Sequence, residues 1–126
     1  MYANFSVPEH ANFLGAKVIA HATAFLDGRN DAADLGRNAR SVNLELIPVG
    51  DDPKAKPLLD AARLLVIAMM GASAAADEVR QDRWMQVMGS LVELVRHESL
   101  ELRTPDQRRH PGGTLSIDTS EEGVGI

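Results

Sequence analysis

Apolar side chains recur every three or four residues in three stretches of the chain and alternate with polar ones in three shorter stretches, which predicts helices with a minor strand component. In the first stretch Val7, Ala11, Leu14, Val18, Ala22 and Phe25 fall on one helical stripe, widened by Ile19 and Leu26. Ser6, Pro8 and Glu9 form a helix start, with Ser6 and Glu9 placed to cap each other's amides and Pro8 in the first turn. Gly28 supplies the stop, so the first helix is expected over residues 7–27.

Residues 28–41 are polar and contain a short echo, Gly28-Arg29-Asn30 and Gly36-Arg37-Asn38, on either side of a turn-like Asp31 to Leu35 segment. They read as a connecting loop. Over residues 42–49, Val42, Leu44 and Leu46 alternate with Asn43 and Glu45, the period of a strand. Pro48 confines that strand to a sheet edge or ends it.

The second helix is expected over residues 57–72. It must begin at Pro57, because a proline inside a helix loses a backbone hydrogen bond at a cost of roughly 3 kcal/mol. Residues 64–76 carry no charge, and small or apolar side chains point all around the helix axis, as in an element buried on most sides. At helical rise that stretch spans roughly 20 Å, short of the ~30 Å hydrocarbon core of a bilayer, and Asp60, Arg63 and Asp77 bracket it. A membrane span is therefore not expected. After a break between Gly71 and Asp77, a third helix over residues 77–97 carries the stripe Trp84, Met88, Leu91 and Val95, flanked by Val87, Val92 and Leu94.

Continued past His97, that helix would place Glu98 in the middle of its apolar stripe, so the helix is expected to end there. Leu100 to Arg103 and Thr114 to Asp118 alternate instead, as the two strands of a long hairpin would. A disordered tail is the other reading of residues 104–126, which hold few large apolar side chains to offset the entropy of ordering them. The expected fold is a single domain, mainly α, with a three-helix core and a minor β component. The globular part covers residues 1–103, followed by a loop and a flexible or hairpin-forming tail over 104–126.

Composition narrows the chemistry more than the fold. A chain of 126 residues suits one domain that needs no disulfide or metal to hold its core. The absence of cysteine removes disulfides, thiolate nucleophiles and thiolate-held metals or clusters. A formal charge of -5 opposes nonspecific binding to phosphate backbones, so nucleic acid is not an expected partner. The first thirteen residues hold neither a basic n-region nor a continuous apolar run, and a cytoplasmic location is expected.

No catalytic motif stands out. The serines occupy no nucleophile-elbow context, and adjacent carboxylates such as Asp51 with Asp52 or Glu121 with Glu122 lie in turns or tail rather than in an apolar pocket. His10 and His21 share a helix flank, but eleven residues of rise hold them roughly 16 Å apart, too far to share a metal ion. His97 suits the carbonyl end of the third helix. No metal or cofactor is expected. The two Gly-Arg-Asn triplets would form an anion cradle, with Arg29, Arg37, Arg40 and His21 as its groups, although glycine and asparagine equally serve turn geometry. Arg108, Arg109 and His110 form a short basic cluster that lacks aromatics for base stacking.

The most pronounced feature is the small-residue row Ala68, Gly71, Ala72 and Ala75 on the second helix, which lets another helix approach closely. That neighbour is either a helix of the same chain or one of a second subunit. Met69, Met70, Met85 and Met88 nearby are adaptable enough for either role. The expected function is noncatalytic, binding a protein partner or forming a homo-oligomer, through Ala68, Met69, Gly71, Ala72, Ala75, Trp84 and Met88. The competing expectation is a small-molecule or anion binder, an enzyme included, at the arginine-rich loop. A third is an accessory DNA-binding protein with one basic face.

Overall fold

Four helices account for most of the residues that the computed structural model describes, 7–49 and 52–102. They are α1 (Val7–Leu26), α2 (Ala32–Leu46), α3 (Lys56–Ala74) and α4 (Glu78–Leu102). The chain is mainly α, as its apolar periodicity predicts.

α1 buries the expected stripe from Ala11 to Phe25. Its end is set by Gly28, whose φ of 78° admits a residue without Cβ most easily. The Gly28 amide donates to the Phe25 carbonyl and the Arg29 amide to that of Ala24, which satisfies two carbonyls the last turn would leave open. The cap expected at Ser6 lies outside the described residues.

α2 replaces both the loop and the edge strand expected over residues 28–49. Ala32, Leu35, Ala39, Val42 and Leu46 recur at spacings of three and four, and all but the half-buried Ala32 are fully buried. The Asp31-to-Leu35 segment is the helix start: Asp34 N donates to Asp31 Oδ1 at 2.8 Å while Asp31 N donates to Asp34 Oδ2 at 3.3 Å. Val42 and Leu46 sit one helical turn apart and point inward, whereas Leu44, which alternation would bury beside them, is 68% exposed. Pro48 follows the helix instead of closing a strand.

α3 opens at Lys56 with Pro57 in its first turn, as its sequence requires. The Asp52 carbonyl accepts from the amides of Ala55 and Lys56, and Asp52 Oδ1 accepts from Lys54 N. By length and composition α3 also passes for a membrane span, but half of that window is buried within the fold, where it serves as the central core element. Ala75, in extended backbone, breaks the chain where expected. Asp77 then caps α4 by accepting from Arg80 N at 2.9 Å.

α4 does not stop at His97. It continues to Leu102, which packs against the core, and the Ser99 hydroxyl donates to Asn12 of α1. These contacts hold the last turn helical, and Glu98 is accommodated half-buried at the end of the stripe. The first strand of the expected hairpin is therefore helix, and no strand occurs among the described residues. Thr114 to Asp118, and the tail over 104–126, lie outside them.

Consecutive helices run antiparallel, and α4 closes back on α1. The Ser73 hydroxyl near the end of α3 donates to the Ala32 carbonyl at the start of α2 (2.7 Å), and Gln81 of α4 donates to the Ala72 carbonyl of α3 (3.2 Å). Lys17 and Glu45 join α1 to α2 at 2.7 Å. The result is an up-down-up-down bundle in which α1 and α3 meet across the diagonal. Gly15 permits that approach: a Cβ there would stand 3.2 Å from Leu58 of α3 and 3.4 Å from Val95 of α4. The core is aliphatic, centred on Leu14, Leu35, Leu58, Leu65, Met69 and Met88.

Candidate functional site

The groups expected to cradle an anion do not converge. Arg29 pairs with Asp27 at 3.2 Å and Arg37 with Asp34, both on exposed surface. Arg40 lies against Gly36, on the flank of α2 that meets Ser73 of α3. His21 sits instead beside Lys17 and Glu45, at the junction of α1 with α2. Burial, and after it the Lys17 ammonium, hold the His21 imidazole below its ordinary range, against the opposing pull of Glu45. A cleft of about 360 Å³ lies at the start of α3, lined by Asp52, Pro53, Lys56, Leu59 and Arg63. Its two cations are engaged by Asp60, 2.8 Å from Lys56 and 3.5 Å from Arg63. The Lys56 hydrogen bond holds the Asp60 carboxyl below its usual range. His10 is buried and stacks on Phe13 with ring centroids 6.5 Å apart. Among the described residues no three His, Asp or Glu side chains come together as metal ligands would.

The residues expected to form a partner or self-association surface divide in two. Ala68, Met69, Ala72 and Met88 are buried inside this chain, so the small-residue row serves the packing of α3 against its own neighbours. Ala75 is half-buried at the end of α3, and Gly71 lies directly beneath the Trp84 ring, where a Cβ would stand 2.4 Å from the indole. Trp84 itself keeps 37% of its surface in solvent.

Around Trp84 the structure assembles an apolar face that sequence reasoning did not single out. Leu64 and Ile67 of α3 are 50% and 57% exposed, and with Gly71 they are spaced three and four apart on one edge of the helix. On α4, Trp84, Val87, Leu91 and Leu94 follow the same spacing; Leu91 is half-buried and the other three are exposed. Because α3 and α4 are antiparallel and Gly71 meets Trp84, Ile67 lies level with Met88 and Leu64 with Leu91. The two rows therefore adjoin along the α3/α4 seam. Their spacing was visible in the sequence, but the outward direction of α3 was not, because its apolar residues surround the helix. Phe13, Leu44, Ile47, Val79 and Leu100 are exposed elsewhere.

No protein-family model matches the chain, and no curated protein or solved structure compared with it does so either.

Proposed function

We propose that this chain acts by binding protein rather than by catalysis, through the outer face of the α3/α4 seam. The observation that carries the reading is the continuous exposed row of Leu64, Ile67, Trp84, Val87 and Leu94. Together these leave roughly 400 Å² of apolar surface in water, the size at which the largest patch on a monomer is often functional. Single exposed apolar residues need no such explanation; five on two adjacent helix edges do. A tryptophan at one end adds the residue type most often found to dominate binding energy.

Site-resolved cross-linking in the producing cell tests this. A photoreactive phenylalanine analogue in place of Ile67 or Val87 should give covalent adducts with a protein, this chain or another. The same group in place of Ala33, exposed on α2, should give none. Adducts from Ala33 alone, or none from Ile67 and Val87, would reject this face.

A further inference from the structure

Resting on the reading of this face as a protein-binding surface, we infer that its occupant is a second copy of this chain, related by a two-fold axis perpendicular to α3 and α4, with Arg80 of each copy against Glu98 of the other.

The stripe on α4 is self-complementary when reversed. Read outward from Gly89, Val87 and Leu91 stand two residues away on either side, Trp84 and Leu94 five, and Arg80 and Glu98 nine. The helical angles agree as well as the distances. Spacings of four, three, four, three and four carry one row from Arg80 through Trp84, Val87, Leu91 and Leu94 to Glu98. The apolar segment is thus bounded by a cation at one end and an anion at the other. Laying a second α4 antiparallel upon it pairs Trp84 with Leu94, Val87 with Leu91 and Arg80 with Glu98, twice each by symmetry.

α3 reports the same axis independently. The midpoint between Leu64 and Ile67, carried across the seam by the Gly71 to Trp84 contact, falls within about half a residue of Gly89, less than 1 Å of helical rise. One axis therefore sets α4 on α4 and α3 on α3, with Leu64 meeting Ile67 of the other copy. A parallel arrangement along α4 would set Arg80 against Arg80 and Glu98 against Glu98, like charges facing each other.

The charged ends are available for this. Glu98 is half-buried at the margin of the stripe and has neither an ion pair nor a hydrogen bond among the described residues. Arg80 is exposed and engages Asp77 through one nitrogen at 3.0 Å, which leaves further donors of its guanidinium fork. With the rim included, two copies would bury about 1,000–1,200 Å², the lower limit for specific interfaces. The dimer is therefore a weak one, with a dissociation constant on the micromolar order.

The test is sedimentation of the purified full chain from about 1 µM to 500 µM, followed in parallel by the emission of Trp84, the one tryptophan in the sequence. A reversible monomer–dimer equilibrium with blue-shifted emission in the dimer is expected. Ile67→Glu should abolish it while leaving the helical circular dichroism unchanged. Arg80→Glu and Glu98→Arg should each raise Kd about tenfold, and the double variant should return it to within about threefold of the parent. A chain that stays monomeric over the whole range overturns the inference. So does a dimer indifferent to Ile67→Glu, or a charge swap in which the double variant is no better than the singles. If the monomer is found but the group at position 67 still cross-links a different protein, the face binds protein and only its occupant is reassigned. If neither occurs, both readings fail.

Discussion

Replacing Gly36 by alanine should destabilise the protein, and the same replacement should stabilise it once Ser73 has also become alanine. Gly36 lies inside α2, about one turn from its start, where alanine is favoured over glycine by about 0.8–1.0 kcal/mol on helix propensity alone. Opposing this, a Cβ at Gly36 would stand 2.5 Å from Ser73 Oγ, with Ser73 Cβ and an Arg40 nitrogen at 3.4 Å. The hydroxyl must leave, and it is not free to do so without cost, because it donates to the Ala32 carbonyl at 2.7 Å. Losing that bond costs about 1 kcal/mol, and the crowding left behind adds about 1–3 kcal/mol before the helix gain is subtracted. Gly36→Ala should therefore lose about 1–3 kcal/mol. In the Ser73→Ala background the hydroxyl is gone and the nearest atoms stand at ordinary contact distance, so the propensity gain of about 0.5–1 kcal/mol should emerge. The coupling between the sites is then about 1.5–4 kcal/mol. Urea unfolding of the four proteins at one shared concentration, followed by circular dichroism and Trp84 fluorescence, measures the cycle with any contribution of self-association common to all four. Equal effects of Gly36→Ala in both backgrounds would mean that α2 does not meet α3 at this point.

The outward direction of Leu44 separates helix from strand in a second way: Leu46→Ala should cost about 2–5 kcal/mol and Leu44→Ala less than about 0.5 kcal/mol, where a strand would bury both. Urea midpoints of the two variants decide it. Gly28→Ala should cost about 1 kcal/mol through its backbone conformation alone, because nothing lies within 4 Å of the added methyl, and Gly28→Asn should cost less. Acid should act at two levels. Because the folded state lowers the His21 pKa from its ordinary 6.5, the unfolded chain binds more protons there, and stability is full above that pH and falls as pH drops below it. His21→Asn should flatten that slope in thermal melts between about pH 7 and 5, while the lowered Asp31 and Asp60 carboxyls give a separate loss beginning below about pH 4.5.

Three of the four helices were legible because each combined a wide apolar stripe with a punctuation mark: Gly28 after α1, Pro57 at the start of α3, and, less sharply, a break between Gly71 and Asp77 before α4, which the structure places at Ala75. α2 lacked the wide stripe. Two of its inward positions, Ala32 and Ala39, are too small to register as core, and over the five residues from Val42 to Leu46 the helical and the alternating periods share both end positions. The period was readable only over the longer run Leu35, Ala39, Val42 and Leu46, preceded by the reciprocal cap of Asp31 and Asp34. The end of α4 was misjudged for a different reason. A carboxylate in an apolar row is a sound argument against burial, but Glu98 stands where the row reaches the edge of the seam, and half-burial there asks little of it.

The missed helix and the missed face are one error. In a three-helix bundle α3 has two neighbours, and a helix apolar on all sides then requires an external partner for whatever remains, which makes its small-residue row the natural candidate. With α2 present, Gly36 and Ser73 close one flank of α3, α1 takes the centre through Gly15 and Leu58, and α4 takes the other flank through Trp84 and Gly71. Of the small-residue row, Ala68 and Ala72 are buried within the bundle and Gly71 lies beneath Trp84. What remains uncovered is set by geometry rather than by composition: the narrow edge bearing Leu64 and Ile67, which no fourth neighbour reaches. That edge borders α4, the longest helix, whose first half has α3 beside it but buries none of its residues fully before Met88. Five exposed apolar side chains therefore share the seam where both helices run short of neighbours, and the proposed partner seated there would complete the burial that the sequence of α3 leaves open.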